Sequence, residues 1–283
     1  MRPLALFLLA ATTLSASPAF DDAVGLYKQR KDAEARTAFE ALLQTEPKNA
    51  EIPYYLGRLD LRAKDTDAAV AHFQAAVALD GAKSAYHLEL GGAYGNQAQS
   101  AGLFGKAALA SKARTEFEKA VALDPSSYDA QSALFQYYMQ APGFMGGGFD
   151  KALAQSEVLI KLDPLRGKNA KVALLVRERK FDEAFAIFDE MLRANPDDYA
   201  ALYGLGRTAA DSGQRLDAGL TNLQKCLTLT PPAGLPPHAA AHWRIGNIHE
   251  KKGDKAAARA AYQASLALDP KFQPAIDSLK KLG

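Results

Sequence analysis

The sequence predicts an all-α fold, a solenoid of about seven helix-turn-helix repeats closed by a C-terminal capping helix, and three observations predict it. A helix-stopping residue recurs as Pro47, Gly81, Pro125, Pro164, Pro196, Pro231 and Pro270, at intervals of 34, 44, 39, 32, 35 and 39 residues. A scatter about 34 is the length of two short helices with their connections. The run Ala239 to Pro270, AAAHWRIGNIHEKKGDKAAARAAYQASLALDP, shows the unit most clearly. It places Trp243, Ile245, Gly246 and His249 on one helix, breaks at Gly253-Asp254, and places Ala258, Tyr262, Ser265 and Leu266 on a second. Finally, the composition is rich in Ala, Leu and Lys with scattered Tyr and Phe, as suits a helical array.

Taken in order, the chain opens on MRPLALFLLAATTLSASPAF, one basic residue followed by an apolar run from Leu4 to Ala11 and then small residues. This reads as a secretory signal over 1–19 with cleavage after Ala19. The run is shorter than the roughly 20 apolar residues of a spanning helix, so a retained anchor is the lesser alternative. Removing Arg2 with the leader takes the formal charge from +2 to +1, which leaves no footprint for nucleic acid.

The repeats are expected at 20–47, 50–81, 84–125, 128–164, 165–196, 199–231 and 239–270, with the capping helix at 271–283. The first keeps Ala35 and Phe39, and the second has Leu56-Gly57 with Ala69, Phe73 and Ala76. The third has Leu90-Gly91 and Tyr94, then Ala113, Phe117 and Ala120; the fourth carries Leu134, Tyr138 and Ala152. Units five and six keep Ala184 with Phe188, and Leu205-Gly206 with Ala218. PPAGLPP, from Pro231 to Pro237, reads as a stiff extended joint. Two insertions lie within units, at 96–113 and 139–151.

Small residues where two helices cross, a bulky ring filling the space beside them and a closing proline together resemble the tetratricopeptide repeat. The resemblance covers about 21 to 282 and implies a right-handed α-α superhelix whose first helices line a concave groove for an extended peptide or a helix. The positions three before and one after the Gly of each Leu-Gly pair, or its equivalent, would face that groove. They hold Tyr54 and Arg58, Ser132 and Gln136, Tyr203 and Arg207, and Trp243 and Asn247. Each pair is spaced i, i+4 on one helical face. Aromatic residues beside arginine suit a partner with apolar anchors and a carboxylate. The subset of the family that clamps a C-terminal carboxylate uses Lys and Asn where this chain has Tyr54 and Arg58, so that particular clamp is not expected.

A second expected surface is the edge from which both insertions project. It carries Phe104, Phe144, Met145 and Phe149 with a basic run of Lys106, Lys112 and Arg114. His238 and His242 are four residues apart, but packing accounts for them and for His249, and no metal or cofactor is expected. Carboxylates such as Glu116 and Glu118, or Asp197 and Asp198, are expected at caps and solvated faces. The lone Cys226 can form no internal disulfide and is expected as a small buried apolar residue.

The expected function is therefore a non-catalytic, protein- or peptide-binding scaffold or adaptor, exported and periplasmic, with no membrane span after signal removal. The alternatives are a carrier or receptor for a small molecule or glycan on the aromatic groove, and an accessory subunit of an envelope enzyme.

Overall fold

A computed structural model describes residues 17–283. The expected signal peptide lies outside the described residues except for its last three, the N-cap and the first two residues of the first helix. Fifteen α-helices and one 3₁₀ turn make up the regular structure of the described residues, and no strand occurs among them. The helices follow one another in packed pairs, and the chain divides into two compact units, one ending at Lys151 and the other running from Ala152 to Gly283.

In the first unit, α1 (Pro18–Lys28) pairs with α2 (Asp32–Thr45), α3 (Glu51–Ala63) with α4 (Thr66–Leu79), and α5 (Ser84–Ser100) with α6 (Leu103–Leu123). Then comes α7 (Tyr128–Gln140), with the 3₁₀ turn Gly143–Met145 in the loop after it. Close backbone approach sets each crossing. A Cβ on Gly57 would lie 2.8 Å from the Phe73 ring, and one on Gly91 would lie 2.7 Å from Phe117. The ring therefore occupies the space that the glycine leaves, which is the packing expected from the Gly-and-aromatic pattern. The first insertion is helical rather than a loop: α5 has 17 residues and α6 has 21, against 13 and 14 for α3 and α4.

α1 is capped inside the expected leader. Ser17 is the N-cap, its Oγ accepting from Phe20 N at 3.2 Å and donating to Glu46 Oε1 at 2.5 Å, and Pro18 occupies the first turn. Phe20 is 4% exposed and packs edge-on against Phe39 and Tyr55. Cleavage after Ala19 would cut through this first turn. A chain beginning at Phe20 is accordingly expected to be less stable in the α1–α2 hairpin than one beginning at Ser17, by about 1 kcal/mol for the lost cap. Amide exchange in α1 and α2 of the two chains checks this. The hydrogen bond from Ser17 also holds the Glu46 carboxyl below its usual range, with Asn49 adding to the effect. Its contribution is thus present above the ordinary carboxylate range and lost on acidification.

The second unit contains most of α8 (Phe149–Leu162), followed by α9 (Pro164–Arg177), α10 (Phe181–Ala194), α11 (Tyr199–Ser212), α12 (Leu216–Cys226), α13 (His238–Lys251), α14 (Lys255–Leu268) and α15 (Gln273–Leu282). Pro164 opens α9 instead of closing the fourth unit. Asp163 caps the helix, accepting from Leu165 N at 3.1 Å and Arg166 N at 3.0 Å, so a fixed proline φ serves the first turn. The PPAGLPP segment is not the extended joint its prolines suggest. Leu235 N bonds to Pro232 O at 3.1 Å across a β-turn whose third residue, Gly234, sits at φ +82°. Leu235 packs on the α11–α13 core, and Tyr199 Oη donates to Pro236 O at 2.7 Å.

Candidate functional site

The first-helix face of the first unit gathers a tyrosine and arginine cluster. On α3, Arg58 Nη1 donates to Tyr54 Oη at 3.3 Å, and its Nε lies 3.5 Å from Glu89 Oε1 of α5. The guanidinium also lies 5.4 Å from the ring centre of Tyr27, on α1, and 5.6 Å from that of Tyr54. One turn further on, Arg62 sits 3.7 Å over the Tyr27 ring and pairs with Asp32 Oδ1 at 2.5 Å. A cleft of about 370 Å³ opens among Tyr27, Arg30, Arg58, Leu61, Arg62 and Glu89. Arg30, at φ +62° in the α1–α2 turn, is exposed and makes no ion pair among the described residues. Three cations therefore gather against two carboxylates, Glu89 in the cleft and Asp32 on Arg62, and burial raises the pKa of Glu89 against the opposing pull of Arg58. Burial likewise raises the pKa of Tyr54.

Tyr54 and Arg58 are thus brought together, on a face whose other members were missed from sequence. Arg62 is one turn beyond Arg58 and could have been found by extending the i, i+4 count. Tyr27 and Arg30 belong to the first unit, whose weak pattern gave no register to extend. Glu89 lies between the third unit's two register positions, Leu88 and Gly92. Of the fourth unit's pair on α7, Gln136 is exposed and Ser132 half-buried.

In the second unit the expected residues are differently engaged. Tyr203 is 8% exposed and lies in the core beside Tyr199 and Leu202, so Tyr203→Ala would probe stability rather than binding. Arg207 is exposed and makes no ion pair among the described residues. Trp243 donates from Nε1 to Ser278 Oγ of α15 at 3.0 Å and meets Phe272 edge-on, while the Arg244 guanidinium lies 4.2 Å over its ring. Asn247 bonds through Oδ1 to Tyr262 Oη at 2.8 Å. Beside it, a cleft of about 460 Å³ is lined by Ala210, Asp211, Asn247, Glu250 and Lys251, with Asp211 paired to Arg244 at 2.6 Å.

On the insertion edge, Phe104 is 91% and Phe144 89% exposed, whereas Met145 and Phe149 are half-buried. Lys106 is exposed, and Lys112 Nζ lies 5.4 Å from the Tyr94 ring centre.

Of the carboxylates expected at caps and solvated faces, Glu116 departs from the expectation. Glu116 is buried, its Oε2 2.5 Å from His87 Nδ1, while His87 Nε2 lies 3.1 Å from Gly81 O. A carbonyl only accepts, so Nε2 carries a proton there. Asp60 is likewise buried, between Arg36 and His72. By contrast Asp198 caps α11 and Asp197 pairs with Lys225. His238 bonds through Nε2 to Leu229 O at 2.8 Å and stacks on Tyr199. Burial pushes the Cys226 thiol up to about 12, which leaves it unreactive at neutral pH.

Three family profiles, each described as tetratricopeptide repeat, match residues 20–85, 175–221 and 239–272. No curated protein sequence matches significantly. Among solved structures, a tetratricopeptide repeat protein from Parabacteroides merdae is similar with a TM-score of 0.63 at 14% identity, over 93% of this chain and 97% of its own. The C-terminal part of a TPR repeat-containing protein from Cytophaga hutchinsonii gives 0.64 at 22% identity, over 92% and 99%. Pseudomonas aeruginosa pilF gives 0.53 at 13% identity, over 82% and 97%. At these identities the likeness is one of fold. With the paired helices and the glycine-ring crossings, the profile matches place the chain in one family: it belongs to the tetratricopeptide repeat proteins.

Proposed function

We propose that this protein is a non-catalytic scaffold or adaptor of the cell envelope that holds an acidic, aromatic-bearing segment of a partner protein on the first-helix face of its first unit. The fold itself is that of a protein-interaction scaffold, and repeats of this kind are generally non-catalytic interaction modules. The observation that carries the reading is the cleft where Arg30, Arg58 and Arg62 gather against two carboxylates, Glu89 and the Asp32 paired with Arg62, leaving one cation in excess beside the Tyr27 ring. Arg62, stacked on Tyr27, is already paired with Asp32, so the groups open to a ligand carboxylate are Arg30, which makes no ion pair among the described residues, and Arg58, held only at 3.5 Å from Glu89, and the rings offer contact area at little entropic cost. The envelope assignment rests on the leader pattern. Among the described residues no helix is long and apolar enough to cross a membrane.

Titration of labelled peptides tests this. Acidic peptides carrying an aromatic residue are expected to bind, with affinity falling as salt rises and falling at least about tenfold in Arg58→Ala/Arg62→Ala. Neutral or basic peptides binding equally well would overturn the acidic specificity, and cell fractionation showing a cytoplasmic protein would overturn the location.

Glu89 adds a pH dependence. When ionised it competes for Arg58, and because burial raises its pKa it takes up a proton at higher pH than a solvated ligand carboxylate does. Affinity for the acidic peptide should therefore rise a few-fold as falling pH protonates Glu89 and before the ligand carboxylates are protonated. In Glu89→Gln it should be higher at neutral pH and flat over the same interval.

A further inference from the structure

The two insertions share a property that the groove reading does not use. Seven large apolar side chains are exposed among the described residues, and the only aromatic ones are Phe104 and Phe144. At 91% and 89% they are far more exposed than the next, Leu268 at 57%, and each lies in one of the insertions. Phe104 sits in the first turn of α6, at the tip of the α5–α6 hairpin. Compared with α3 and α4 that hairpin is longer by four residues in α5 and seven in α6. Its tip therefore projects some 6 to 10 Å further.

Phe144 is held out by an ordered loop. Met145 O accepts from Tyr137 Oη at 2.7 Å and Arg114 Nη1 at 3.4 Å, Lys151 Nζ donates to Gly146 O at 2.9 Å, and Gly148 N to Tyr138 O at 2.8 Å. Arg114, ten residues or roughly 15 Å along α6 from Phe104, ties this loop to α6, and both rings lie at connections between a first and a second helix. The sequence from Gly92 to Thr115 contains Lys106, Lys112 and Arg114 and no acidic residue. The carboxylates that reach this stretch are Asp67, bonded to Gln97, and Glu118, beside Arg114. Lys106 makes no ion pair among the described residues. It sits in the first turn of α6, where a cation is disfavoured by the helix dipole.

We propose that this edge docks the protein peripherally on an anionic lipid surface, Phe104 and Phe144 entering the headgroup–acyl boundary and Lys106 and Lys112 meeting the headgroups. The shape favours lipid over protein. The rings stand on two separate protrusions, a projecting helix tip and a loop apex, and the α6 residues that follow Phe104 include the exposed Lys106 and Lys112. A protein interface needs a packed, contiguous apolar centre, whereas a fluid interface accepts separate insertion points. The mixture of rings and lysines is that of interfacial anchors.

The test is co-sedimentation of the chain from Ser17 with vesicles of phosphatidylcholine alone and of phosphatidylcholine with about a third phosphatidylglycerol. Binding is expected to the anionic vesicles, to weaken with salt, and to fall about tenfold for each of Phe104→Ala and Phe144→Ala. Lys106→Glu should lower it several-fold on anionic vesicles alone. All three side chains are exposed, so the variants should keep the wild-type helical spectrum. Arg58→Ala/Arg62→Ala, which tests the groove, should leave vesicle binding unchanged, so the two readings fail separately. No sedimentation with either vesicle, or binding indifferent to both phenylalanines, overturns the proposal and leaves the edge to a protein partner.

Discussion

Asp60→Ala is expected to destabilise the first unit by about 3 kcal/mol, the largest loss from any single charged side chain in it. Asp60 is 2% exposed and bridges three helices: Arg36 Nη2 of α2 donates to Oδ1 at 2.6 Å, and His72 Nδ1 of α4 lies 2.6 Å from Oδ2. Removing the carboxylate leaves a guanidinium and an imidazole facing an apolar gap. Both keep about a third of their side-chain surface exposed, so water can reach them, which puts the cost at the lower end of the range for a broken buried pair. Asp60→Asn keeps an acceptor for Arg36 and should fall between Ala and wild type. Amide exchange across α2, α3 and α4 is the informative readout, because repeat arrays need not unfold in one step. Unchanged protection in Asp60→Ala would mean that desolvating the carboxylate offsets its two partners.

The repeat architecture was legible because its determinants are local. Gly57 and Phe73, or Gly246 and Tyr262, recur at fixed spacing, and each spacing states that one helix must come close to the next. What was not legible depended on side chains meeting across repeats. Nothing in the sequence distance between Arg36 and Asp60, or His87 and Glu116, marks those pairs as partners. Counting by helix face predicted solvated carboxylates where the fold buries them. Proline is ambiguous for a related reason: it serves the first turn of a helix at Pro164, the turn between α6 and α7 at Pro125, closed by Ser127 N on Asp124 O, and the β-turn from Pro232. Only the neighbouring chain decides among these.

The candidate site shows the same division. Tyr54 and Arg58 followed from register, and Arg62 was one turn away. Tyr203 occupied the same register position as Tyr54 yet lies in the core, because α11 is covered by α13 and by Leu235 of the preceding turn. Trp243 was a candidate for ligand contact but is occupied by Ser278, Phe272 and Arg244. Register places a side chain on a face; what covers that face comes from segments outside the repeat pattern, here the β-turn before α13 and the capping helix α15.

Tyr262→Ala should cost the second unit about 3 to 5 kcal/mol, and the reason makes the result separable from a general loss of packing. Tyr262 is fully buried on α14 and closes the cluster formed with Ala258, Ala275, Trp243 and Phe272. Its ring lies where a side chain on Gly246 would be, 2.3 Å from an added Cβ. Gly246→Ala alone should therefore force the ring or the α13–α14 crossing to shift, at about 1 to 3 kcal/mol. Introduced together with Tyr262→Ala, the same methyl enters a space the ring has vacated and meets no clash. The double variant should then be more stable than the two single losses added, by about 1 kcal/mol or more, a coupling that urea titration can resolve. Tyr262→Phe separates the hydroxyl from the ring: it keeps the filling but removes the bonds to Asn247 and Glu250, and should cost about 1 kcal/mol. Additive losses for Gly246 and Tyr262 would show that the ring does not set how closely α13 and α14 approach.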